Sequence, residues 1–79
     1  MNKQMNAECL KYIISRLIAN ASDAKKESKA NTKDVFLAGR KVAYYEMLDI
    51  LQSELYVHDI DLKAMGLDMD LERTFLLIY

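Results

Sequence analysis

VFLAGRKVAYYEMLDILQSELYV, residues 35–57, is the longest uninterrupted apolar-periodic segment of the chain. Tyr44, Leu48, Leu51 and Leu55 recur at steps of four, three and four, and Phe36, Leu37, Ala43, Met47 and Ile50 widen that stripe. Such spacing sets apolar side chains on one broad face of an α-helix. A helix of this length runs roughly 34 Å. It cannot cover its own apolar face, so another part of the chain, or another chain, has to.

Working toward the N-terminus, Asn31-Thr32-Lys33-Asp34 is the natural break before this helix. Asn, Thr and Asp carry the side-chain acceptors that bind free N–H groups at a helix start, and Asp34 suits the positive end of the helix dipole. The long helix is therefore expected over about 33–57. Before the break, SDAKKESKANTKD (22–34) contains two alanines and no larger apolar residue. It reads as solvated, either helix or partly ordered linker. Further upstream, Leu10, Ile14, Leu17, Ala21 and Ala24 form a narrow seam at alternating steps of four and three. Cys9, Tyr12, Ile13 and Ile18 broaden it. A first helix is expected over about 3–28, starting near Asn2 or Asn6. Two helices joined by a short polar turn form an antiparallel hairpin. Leu10, Ile14 and Leu17 then meet Met47, Leu48, Leu51 and Leu55. Gly39 has two readings: close backbone approach to the alanine-rich part of the first helix, or a contact or bend used by a partner.

Beyond Val57 the pattern breaks. Asp59 or Asp61 is a candidate N-cap for a short helix over about 60–65, and Gly66 is the left-handed residue expected to end it. Asp68 or Asp70 is placed to cap a last helix over about 69–77. The terminal run Phe75-Leu76-Leu77-Ile78-Tyr79 is expected to pack across the open end of the hairpin or into a second subunit.

Composition narrows the class. With 79 residues, no proline, two glycines and 52% hydrophobic residues, the chain reads as one small all-α domain spanning 1–79. A domain this small buries only about 60% of the surface its unfolded chain exposes. The single cysteine excludes an internal disulfide, and Cys9 reads as a small buried hydrophobe of a reducing compartment. No signal peptide is visible at Met1–Met5, and the longest apolar run is far short of a membrane span. A cytoplasmic protein that does not enter a membrane is expected.

The net charge of −1 hides a separation. Residues 1–41 hold nine basic and four acidic side chains; residues 42–79 hold two basic and eight acidic ones. Such halves attract, within one chain or between two.

Sites with chemistry are few. His58, Asp59, Asp61, Asp68, Asp70 and Glu72 form the one cluster of metal-ligand type, but the spacing of a calcium loop fails and a single histidine does not make a zinc site. They read as caps and surface charge. No phosphate loop, nucleophile–base set or catalytic carboxylate pair can be assembled. No catalytic residue, metal, cofactor or small-molecule substrate is assigned. Tyr44 belongs to the seam, whereas Tyr45 lies about 100° round the helix and suits a helix–helix boundary. Lys25, Lys26, Lys29, Lys33, Arg40 and Lys41 gather at the expected hairpin tip and are the candidates for nucleic-acid contact, although no recognition-helix or RNA-binding motif accompanies them. Phe36, Tyr45, Met47, Ile50, Phe75, Leu76 and Ile78 are the candidate dimer or partner interface.

The segment Phe36-x-x-Gly39-Arg40-Lys41-x-Ala43-Tyr44-Tyr45-Glu46-x-Leu48-Asp49, with Gly66-Leu67-Asp68-x-Asp70-x-Glu72, resembles small uncharacterised helical proteins of Gram-positive bacteria and their mobile elements. The resemblance implies an all-α fold and a bacterial or phage setting, with no activity or functional residue carried over. The expectation is a helical hairpin closed by one or two short C-terminal helices and paired into a dimeric bundle. Its expected role is a non-catalytic interaction or dimerisation module, with a nucleic-acid-associated regulator acting through the basic tip as the alternative.

Overall fold

The computed structural model describes residues 6–77, and the regular elements among them are all helices. Helix α1 spans Ala7–Ala30 and α2 spans Val35–Val57. The two pack side by side as a hairpin, and a short helical turn of π type follows at Glu72–Leu76. The molecule measures 48 × 25 × 14 Å.

Capping residues set the boundaries. Asn6 Oδ1 accepts from the Cys9 N–H at 2.8 Å and starts α1. The helix then runs through the polar segment to Ala30, so 22–30 is helix and not linker. Its last carbonyl partners are the Asn31 N–H and side-chain amide, both directed at Glu27 O. Asp34 Oδ1 accepts from the Leu37 N–H at 3.1 Å and starts α2.

The end of α2 differs from expectation. Asp59 does not begin a new helix but terminates the old one, with φ 59°. The Ile60 N–H reaches Leu55 O and the Asp59 N–H reaches Tyr56 O, the paired bonds of a Schellman termination. Aspartate tolerates the left-handed region better than most residues. The segment expected as a helix over 60–65 is a single hydrogen-bonded turn. Asp61 Oδ1 holds the Lys63 N–H, and Gly66, at φ 76°, closes the turn as the Leu67 N–H returns to Leu62 O. Asp70 Oδ1 then caps the Arg73 N–H. The last helix is shorter than the expected 69–77 and is π-type, the Leu77 N–H bonding Glu72 O five residues back.

The core joins Ile14 and Ala21 of α1, Leu48 and Leu55 of α2, and Leu67, Leu71 and Phe75 of the C-terminal segment. The C-terminal segment therefore lies along the hairpin and completes its core. Three residues depart from their expected places. Cys9 is exposed, because it lies off the seam of Leu10 and Ile14. Met47 is exposed and lies outside the core cluster. A Cβ built at Gly39 has nothing within 4 Å, so this glycine does not serve close approach to α1.

Leu48 is fully buried while Ile50, two residues on, is 63% exposed. Leu48→Ala is expected to lower unfolding free energy by about 3 kcal/mol, within the range for buried Leu→Ala. Ile50→Ala should change it by less than about 0.5 kcal/mol. Urea unfolding of the two variants checks the assignment of faces.

Candidate functional site: two faces of the second helix

Successive residues on a helix are turned by about 100°. Lys41, Leu48 and Leu55 are buried, and Tyr44 and Leu51 half-buried, so one side of α2 faces the core. The opposite side carries Val35, Phe36, Gly39, Val42, Ala43, Met47, Ile50 and Val57, all exposed. Phe36 is 74% and Val57 69% exposed. Glu46, Ser53 and Glu54 interrupt this second stripe. Near its end a shallow groove of about 410 Å³ opens between α2 and the following turn, lined by Gln52, Ser53, Tyr56, Val57 and Leu62.

The candidate interface residues thus separate. Phe36, Met47 and Ile50 sit together on the outer stripe. Phe75, expected at an interface, is 3% exposed and belongs to the chain's own core. Leu76 is half-buried, and its carbonyl accepts from Lys41. Tyr45 packs on the core cluster at the flank of α2 where the C-terminal segment lies. Its phenol is pushed above the usual value of 10.0, first by loss of hydration and then by the carboxylates of Asp49, Glu72, Asp70 and Glu46. Ile78 lies outside the described residues.

The basic cluster also divides. Lys41 is 9% exposed, and its ammonium donates to Leu76 O at 3.1 Å. Lys25 Nζ donates to Thr74 O at 2.8 Å. Both side chains hold the C-terminal turn instead of projecting from the tip. Arg40 pairs with Glu27 and lies 5.4 Å from the Tyr44 ring centroid. Lys26, Lys29 and Lys33 remain exposed. Sequence reasoning missed a third donor, Gln52, whose Nε2 reaches both Leu67 O and Met69 O at 2.8 Å. A signal for these roles exists in the seam registers: Lys41 precedes Tyr44 and Leu48 at steps of three and four. Ser28, also buried, continues the α1 seam four residues after Ala24.

Among the described residues no group of three or more His, Cys, Asp or Glu side chains is arranged to hold a metal ion. None of their helices is long and apolar enough to cross a membrane. Comparison with protein families, curated proteins and solved structures finds no match to the chain.

Two predictions follow from the C-terminal contacts. Gln52→Leu leaves two inward carbonyls without their donor and should cost about 2 kcal/mol, near 1 kcal/mol per bond. Lys25→Met with Lys41→Met should accelerate amide exchange across residues 71–77 while α1 and α2 keep their protection. Tyr45 gives a pH signature. Its folded pKa is raised, so its contribution to stability is complete below pH 10 and is lost as pH rises through the folded value. Tyr45→Phe should remove that part of the alkaline loss, read as the difference between wild type and variant in urea unfolding at pH 9 and pH 11.

Proposed function

We propose that the chain is a non-catalytic protein–protein interaction module that associates with itself through the outer face of α2. One observation carries this reading: α2 is apolar on two opposite sides, and the described residues cover only one of them. Isolated exposed hydrophobes are ordinary, but a stripe running from Val35 to Val57 is of the kind that marks an interaction surface.

The magnitude sets the strength. A strip roughly 34 Å long and about 10 Å wide gives about 340 Å² per copy. Two copies bury about 700 Å², short of the ~1,200 Å² lower bound of standard interfaces. At about 25 cal/mol per Å² the gross gain is about 17 kcal/mol. Lost rigid-body freedom removes about 4–15 kcal/mol. The surplus describes a reversible, concentration-dependent dimer.

The basic tip supports nucleic-acid contact less well, because Lys25, Lys41 and Arg40 already have partners within the chain. The resemblance to small bacterial proteins and the lone, exposed Cys9 thiol support a reducing, cytoplasmic setting.

Light scattering across a concentration series tests the proposal. The wild-type mass should rise toward twice that of the chain. Ile50→Glu should stay monomeric at every concentration with unchanged helicity and an unfolding free energy within about 0.5 kcal/mol of wild type. A wild-type chain that stays monomeric up to millimolar concentration sinks the proposal.

A further inference from the structure

The outer stripe has ends of opposite charge. Around the start of α2, exposed Lys29 and Lys33 outnumber the exposed carboxylate of Asp34, while Arg40 is taken up by Glu27. At its finish, exposed Glu54, Asp59 and Asp61 outnumber the exposed Lys63, with His58 Nε2 3.8 Å from Glu54. Within one molecule these ends lie about a helix length apart, roughly 34 Å. That is several times the Debye length of about 8 Å at physiological salt. Within one copy the excess charge of one end is therefore not offset by the excess at the other.

We infer that the second copy lies antiparallel on the first, the basic end of each α2 against the acidic end of the other. This rests on the outer face of α2 being the docking surface, and adds the partner's orientation and its control by salt. A two-fold axis between Glu46 and Met47 overlaps the whole stripe. It sets Phe36 opposite Val57 of the second copy and Ala43 opposite its Ile50, small against large. Gly39 comes opposite Ser53 and Glu54 of the second copy. The open space above Gly39, where a Cβ would meet nothing beyond its own helical backbone and chain neighbours within 4 Å, is then filled. Lys33 comes near Asp59 and Asp61 of the second copy. A parallel pairing would instead set Lys33 beside Lys33 and Glu54 beside Glu54, the like-charge arrangement that disfavours wrong partners.

Cross-linking with a short bismaleimide tests the orientation on the full chain carrying Cys9→Ser. A mixture of the Phe36→Cys and Val57→Cys chains should give the mixed cross-linked dimer. Either chain alone should give none, because two copies of position 36 would lie roughly 31 Å apart. The Met47→Cys chain should link to itself. Strong 36–36 and 57–57 products would overturn the antiparallel inference while leaving the docking face in place. No product from any of the three, Met47→Cys included, would overturn the docking face as well. Salt supplies the independent readout by sedimentation. The dimer dissociation constant should rise about tenfold between 50 and 500 mM NaCl, because facing opposite charges are screened. Lys29→Glu with Lys33→Glu should weaken the dimer at 50 mM and match wild type at 500 mM, with circular dichroism unchanged. Association that is unaffected by salt, or strengthened by it, would refute the charge pairing.

Discussion

Two helices lying side by side cannot enclose a core, and this hairpin is closed along one flank by a segment that is helical only in its last turn. That imposes a constraint. A helix satisfies its own carbonyls, but Leu67 to Leu76 crosses an apolar surface with several carbonyls turned toward the hairpin. An unpaired inward carbonyl costs about 1–3 kcal/mol. The helices supply the donors. Gln52 reaches Leu67 O and Met69 O, Lys25 reaches Thr74 O, and Lys41 reaches Leu76 O. No buried side-chain polar atom among the described residues lacks a partner. Leu67, Leu71 and Phe75 provide the burial, and these long polar side chains make it compatible with a non-helical backbone. Removing the donors would leave the apolar contacts opposed by dehydrated carbonyls.

Much of this is legible in residue order, and the reasons divide by range. The two long helices and the break at Asn31–Asp34 follow from periodicity and from acceptor side chains at helix starts, both local effects. Gly66 is legible as a turn for the same reason, since its missing Cβ frees a left-handed φ. The Asp59 termination is not, because aspartate caps either end of a helix and the choice is made by Leu55, which must stay buried while the chain reverses. The burial of Phe75 was legible as a need for cover but not as a destination. Five terminal apolar residues suit the chain's own groove and a second subunit equally. Lys41 was hidden by its type: its charge grouped it with the tip, while its register placed it on the core side of α2.

The outer stripe of α2 shows the same ambiguity from the other side. In the sequence, Phe36, Met47 and Ile50 merge with the core seam into one wide apolar helix. Only when Leu48 and Leu55 are committed to α1 and to the C-terminal segment does the remainder appear as a separate face. The hairpin has three covering elements at most, and the third occupies the flank bearing Lys41, Tyr45 and Gln52. No length of the described chain remains for the outer face. The uncovered apolar face is thus a consequence of how the core is closed.

Charge separation in the chain has two levels. Part of the basic half is spent internally, with Lys25 and Lys41 on carbonyls and Arg40 on Glu27. The Lys25 and Lys41 hydrogen bonds hold the C-terminal turn, and that of Lys41 is partly buried. The charges left over, Lys29 and Lys33 at one end and Glu54, Asp59 and Asp61 at the other, stand too far apart for the chain to pair with itself. A lone molecule gains nothing from that arrangement. Two molecules laid head to tail along α2, as proposed, would bring each end to its complement and cover the apolar stripe between them in the same step. The charges would set direction and register, and the stripe would supply the burial.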